Sequence, residues 1–271
     1  MRKSVLLLFL FITFVLASGY DADSLKIWNA ESRELHEQRR LLEASILYEK
    51  IMEASPPVLA DDAMKELAVH FVPRIYTTPS EYFALEDIVA VIHPDRPVIA
   101  YHLFWDDDID FPEDNDPTDH EVVWIEYDKS SMKVKNVITY FHGRHLSSDT
   151  AVKEANENGG RARINIEWGK HGSVPYCAST ETCKKIYRLL EDHWQKLHTI
   201  GIRKPDHYFA RNWPHKFAGS FADYVDFSRF IDPVSMLKTK NTIVKTKWAN
   251  AVLDQYFIPY NFFPKTEWPW E

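Results

Sequence analysis

The sequence predicts a mainly β fold, an antiparallel domain that carries an N-terminal helical extension and an inserted helix. Three observations predict it. From Pro73 onward, short β-branched and aromatic runs alternate with Pro, Gly, Asn and Asp, the texture of antiparallel strands and turns. Before them, apolar residues recur at helical spacing among charged ones, and the same pattern returns once downstream. Aromatic residues make up 14% of the chain, enough for substantial packing.

The extension is read as one long helix from Asp23 to Glu53, with Ser24 as its cap and Leu25, Trp28, Leu35, Leu42, Ile46 and Met52 on its apolar side. Ser55-Pro56-Pro57 stops it, because proline lacks the N–H a helix needs. A shorter helix is expected from Asp61 to Phe71. Strands are expected at Pro97 to Trp105, Val122 to Tyr127, Val134 to Phe141 and Arg163 to Trp168. The middle two form a hairpin through Asp128-Lys129-Ser130-Ser131, and Asn156 to Gly160 reads as a loop. The inserted helix is Thr180 to His198, with Ile186, Leu189, Leu190, Trp194 and Leu197 on one side. The chain thus divides into 1–19, 20–70 and 71–271.

The first division has the three parts of a secretion signal: Arg2 and Lys3, the apolar run Val5 to Leu16, and the small residues Ala17, Ser18 and Gly19. That run is shorter than the roughly 20 residues a membrane-crossing helix requires, so cleavage and a secreted or periplasmic protein without a transmembrane segment are expected. Cys177 and Cys183, six positions apart, are then expected to form a local disulfide. The formal charge of −8 becomes −10 when Arg2 and Lys3 leave with the signal. Nucleic acid is excluded as a partner, since phosphate neutralisation needs a basic face.

Most of that charge lies in one place. Between Asp106 and Glu121 every charged residue is acidic, and the segment joins two expected strands. Crowded carboxylates repel, and a hard divalent cation such as calcium or magnesium relieves the repulsion by taking several oxygens. The segment is not an EF-hand: Phe111 stands where Gly is required and Pro117 where the last Glu should be. Histidines follow at strand ends: His120 between Asp119 and Glu121, His142 and His145 after one strand, His171 after another. In an antiparallel hairpin the entry of one strand lies beside the exit of its partner, which puts His120 near His142. The candidate metal ligands are therefore Asp108, Asp110, Asp119, His120, Glu121, His142, His145 and His171. No serine-nucleophile elbow, H-E-x-x-H, P-loop or dinucleotide-binding glycine pattern occurs, and no catalytic set can be named.

The stretch His70-Phe71-Val72-Pro73-Arg74-Ile75-Tyr76 with Glu81 and Tyr82, then Ile99-Ala100-Tyr101-His102, Asp119-His120-Glu121 with Trp124, and Gly169-Lys170-His171-Gly172, resembles proteins related to vacuolar protein sorting protein sixty-two. That family is in turn similar to the necrosis- and ethylene-inducing-peptide-like cytolysins. The resemblance covers roughly residues 71–176. It implies a two-sheet β-sandwich and a divalent-cation site used to bind a sphingolipid sugar head group, with Asp119, His120 and Glu121 in the corresponding place. The chain departs from the pattern at Val122 and Val123 and lacks its arginine-bearing motif. The function expected is an exported, divalent-cation-dependent binding protein for a polar glycan or lipid head group, with Trp105, Trp124 and Trp168 as candidate sugar platforms. A metal-dependent hydrolase and an envelope interaction protein without a metal site are the alternatives.

Overall fold

The computed structural model describes residues 21–109, 119–178, 180–199, 217–239, 243–244, 249–257, 265 and 268–270. The predicted signal lies outside them. In chain order the elements are α1 (Ala22–Glu37), α2 (Leu41–Ala54), β1 (Val58–Leu59), α3 (Asp62–Phe71), β2 (Arg74–Thr77), β3 (Leu85–Ile92), β4 (Val98–Trp105), β5 (Asp119–Asp128), β6 (Lys133–Phe141), β7 (Arg144–Ser147), α4 (Asp149–Glu157), β8 (Arg163–Ile166), β9 (Ser173–Pro175), α5 (Glu181–Thr199), α6 (Phe221–Tyr224), β10 (Arg229–Ile231), α7 (Val234–Thr239), β11 (Ile243–Val244) and α8 (Ala249–Phe257).

The strands form two mostly antiparallel sheets. One runs β1-β11-β3-β4-β5-β6-β7 and the other β10-β2-β8-β9, with parallel pairing at β11 against β3 and at β2 against β8. The fold is β-rich but carries more helix than expected. In β4 every residue is buried. Alternation explains how: Ile99, Tyr101, Leu103 and Trp105 join Ile75, Ile164 and Ile166 of the second sheet and Phe71 and Ala151 of two helices in one core. The opposite face presents Val98, Ala100, Phe104, Val122 and Trp124 to Leu253 and Trp268. Covered on both sides, the central strands read as continuous apolar runs.

The long N-terminal helix is in fact two. Arg39 stands at φ +60, its N–H donates to the His36 carbonyl, and the Arg40 N–H donates to Leu35, a Schellman ending that closes α1 with arginine where glycine is usual. Asp21, not Ser24, caps α1, accepting from the Ser24 N–H at 2.7 Å. Residues 149–157 form α4, a helix beyond those expected from the sequence; its exit, Gly159 and Gly160 at φ +70 and +90, is the expected loop. The expected disulfide is present, Cys177 to Cys183, tying the first turn of α5 to the exit of β9.

Between α1 and α2, His36 is 2% exposed and its Nδ1 lies 3.3 Å from the Tyr48 hydroxyl. Burial, with the charge of Arg33, lowers its pKa from 6.5 to about 4. Because the folded value is depressed, the unfolded chain takes up this proton first, so stability is lost as pH falls from about 6.5 towards 4. Melting curves at pH 7.5 and 4.5 should show a drop in Tm that is smaller in His36→Gln; an identical drop would reject this assignment.

Candidate metal centre

The crowded carboxylates at the ends of β4 and β5 are met by cations of the chain itself. Asp119 and Glu121 point to the inner face of their sheet, and the two-residue period sends His120, between them, to the other face. The His171 Nδ1–H donates to Asp119 Oδ2 at 3.0 Å, its Nε2 lies 3.5 Å from Glu81 Oε1, and its ring stacks on Trp105 at 4.2 Å. Glu81 is itself held by the backbone N–H groups of Tyr82, Phe83 and Gly169. Lys170 Nζ pairs with Asp108 at 2.7 Å, and Lys265 Nζ with Glu121 at 2.5 Å. Burial opposes a charge on His171, but Glu81 and Asp119 outweigh it and raise its pKa to about 10. Burial would raise Asp119 too, yet Lys265 and His171 bring it below the usual carboxylate value. Glu121 goes the other way: burial outweighs Lys265 and lifts it to about 8.

On the far face His120 Nδ1 accepts from the Lys265 backbone N–H, so its Nε2–H donates to His102 Nδ1 at 3.0 Å. Burial, with His102 and Lys265, holds its pKa well below the usual value.

The remaining predicted ligands lie elsewhere. His145 is exposed on β7 and meets Trp124 and Tyr140 edge-on. Asp110 falls outside the described residues. His142 does not turn towards His120: it leaves β6 at φ +44, followed by Gly143 at φ +80, and its ring stacks on His193 with centroids 3.8 Å apart. A non-glycine residue held in the left-handed region is strained, and such strain collects at functional sites.

That turn builds a three-residue centre. His142 Nε2 lies 2.5 Å from Glu167 Oε2, and His193 Nδ1 lies 3.1 Å from Glu167 Oε1. One ligand atom from each residue falls within 4.8 Å of the others, the one such group of three or more found among the described residues. His193 Nδ1 makes no hydrogen bond despite its nearness to the carboxylate. Around tetrahedral zinc with bonds of about 2.1 Å, donors stand roughly 3.4 Å apart, close to the 3.1 Å of His193 and Glu167, whereas the His142–Glu167 contact at 2.5 Å is a direct hydrogen bond that an ion would replace. Glu167 is fully buried, while His142 and His193 keep 27% and 22% of their side chains exposed, leaving one side open to solvent. Burial would raise the Glu167 pKa, but His142 and His193 hold it well below the usual range. The Tyr224 hydroxyl donates to Glu167 Oε1 from behind and fixes the carboxylate.

Three elements aim these side chains. Glu167 follows β8 in a tight turn whose backbone closes by Glu167 N–H to Gly172 and His171 N–H to Glu167. His193 stands on the buried stripe of α5 formed by Cys183, Ile186, Leu190 and Leu197, at the same three- and four-residue spacing. Gly172 leaves the room: a Cβ there would lie 2.8 Å from Glu167 Oε2 and Phe141 Cδ2, and 2.9 Å from His142 Nε2. Gly172→Ala should therefore cost about 1–3 kcal/mol by overpacking and displace two of the three donors. Denaturant unfolding checks the first effect and a metal titration the second; a variant of unchanged stability and affinity would show that the space is not needed.

Of the three, only His142 is among the ligands expected from the sequence; Glu167 lies in the expected strand Arg163 to Trp168 and His193 in the expected helix Thr180 to His198. The available signal was a charged residue inside a run that is otherwise apolar, Ile164 to Trp168 bar Asn165, and an imidazole at a core position of α5. The comparisons with protein families, with curated proteins and with solved structures find no match to this chain.

Proposed function

We propose that this is an exported metal-dependent binding protein, with a divalent ion held by His142, Glu167 and His193 and its open coordination positions offered to an oxygen of a polar glycan or lipid head group. The supporting observation is the buried carboxylate flanked by two partly exposed imidazoles, with one ligand atom of each residue within 4.8 Å of the others. Two nitrogens and one oxygen favour zinc or a similar ion over the calcium or magnesium expected from the acidic segment, because those hard ions prefer oxygen. Asp108, Asp119 and Glu121 instead belong to an internal ion-pair network with His171, Lys170 and Lys265. The two sheets are read as the layers of a β-sandwich, and the likeness to the family related to vacuolar protein sorting protein sixty-two stays part of this reading.

The same donor set supports a second reading as a hydrolase, since two histidines, a carboxylate and an open position are the ligands of catalytic zinc sites, where the ion supplies an activated water. Metal analysis of the purified mature protein, followed by binding measurements on glycan and lipid head-group panels with and without chelator, tests the first reading. Metal-dependent binding without turnover supports it; turnover of phosphoester, ester or glycoside substrates that ends in a His142→Ala, His193→Ala variant would replace it with the hydrolase. Protein free of metal, with no response to chelator, would sink both.

A further inference from the structure

A second site stands apart from the metal centre. Between α3, the β3–β4 turn and the β5–β6 turn lies a cavity of about 330 Å³ whose lining includes Met64, Leu67, His93, Arg96, Lys129 and Met132. Two of its walls are methionines left 37% and 39% exposed, Met64 and Met132. Exposing Met132 costs the backbone something. It sits at φ +53, where glycine or asparagine is usual, in a turn fixed by Asp128, whose Oδ1 accepts from the backbone N–H and the hydroxyl of both Ser130 and Ser131. Strain that holds a flexible, polarizable side chain against a groove suits adaptable apolar contact.

Among the described residues that line it, Arg96 and Lys129 are the cations and none is a carboxylate, in a chain whose net charge is −8. The Arg96 guanidinium is braced over the Trp270 ring at 3.7 Å, with Glu126 at 3.8 Å on its flank. The Asp128 carboxylate is turned into its own loop, and His93 Nδ1 accepts from the backbone N–H of Asp95 and Arg96, so it serves as a turn acceptor. A volume of about 330 Å³ is less than one turn of a helix about 10 Å across would fill, and suits one alkyl chain instead.

We propose that this cavity binds a single-chain anionic amphiphile, its tail between Met64, Leu67 and Met132 and its head group on Arg96 and Lys129. The head could be a fatty-acid carboxylate or the phosphate of a single-chain lipid. Calorimetric titration of the full mature chain with decanoate, decyl phosphate and decyltrimethylammonium separates these, with the methyl resonances of Met64 and Met132 as the reporter of place. Saturable binding of either anion with shifts at both methyls is expected, and the tighter of the two names the source. Lys129→Gln, at an exposed turn position that leaves the fold intact, should weaken the anion about tenfold, and Met132→Gln should weaken it comparably. Equal affinity for the cationic amphiphile, methyl shifts elsewhere, or no saturable binding would each overturn the proposal. None of these outcomes depends on metal.

Discussion

Zinc at a hundred times its dissociation constant should raise the unfolding free energy by about 2.7 kcal/mol. For a chain of this size that is roughly 5–10 °C in Tm. Calcium and magnesium at the same concentration should give little, because neither favours imidazole. The informative quantity is the increment caused by metal, since removing one imidazole also leaves the buried Glu167 carboxylate less well matched and lowers the Tm of the metal-free protein. In His142→Ala and in His193→Ala the increment should shrink, and in the double variant it should vanish. Glu167→Gln, which keeps the shape but not the charge, should also shrink the increment, because an amide is a weaker ligand than a carboxylate. An undiminished increment in the double variant would place the metal somewhere else, and an absent one in the native chain would leave the three residues as an ion-paired cluster.

The second large effect concerns the ion-pair network rather than the metal. Asp119→Ala or His171→Ala should cost about 3–5 kcal/mol, because either leaves a buried partner charge uncompensated. Both side chains are almost wholly enclosed, at 6% and 0% exposure. The pH dependence has a defined sign. His171 has a raised folded value of about 10, so its contribution is complete below about pH 6.5 and declines as pH rises towards 10. Chemical denaturation at pH 6 and pH 9 should show this loss in the native chain and not in His171→Ala. The increment from zinc should survive in a His171→Ala protein that still folds. Should it disappear there, the two clusters form one site after all, and the division between them drawn from the geometry is wrong.

Much of the framework was legible because local rules set it. Strands β4, β5 and β6 and helices α3 and α5 carry periodicities and stops that need no tertiary information. The break at Arg39 was not legible, since a left-handed arginine is chosen by the packing of α1 on α2 and not by its own preference. The acidic segment illustrates a different limit. Its charge was plain, but the cations that answer Asp108, Asp119 and Glu121 are Lys170, His171 and Lys265, which lie 51, 52 and 146 positions from Asp119 along the chain, and only folding brings them near. Alternation could have warned that Asp119 and His120 face opposite ways, because that follows from the strand alone. The centre at Glu167 required knowing which face of α5 meets the sheets.

The three donors at positions 142, 167 and 193 come from a strand exit, a turn and a helix, so no short peptide of this chain can gather them. An ion held there binds only once the helix has docked, so it stabilises the native state more than a transition state in which strand, turn and helix are still apart. Its kinetic signature is accordingly a slower escape from the native state, with the rate of refolding left nearly untouched.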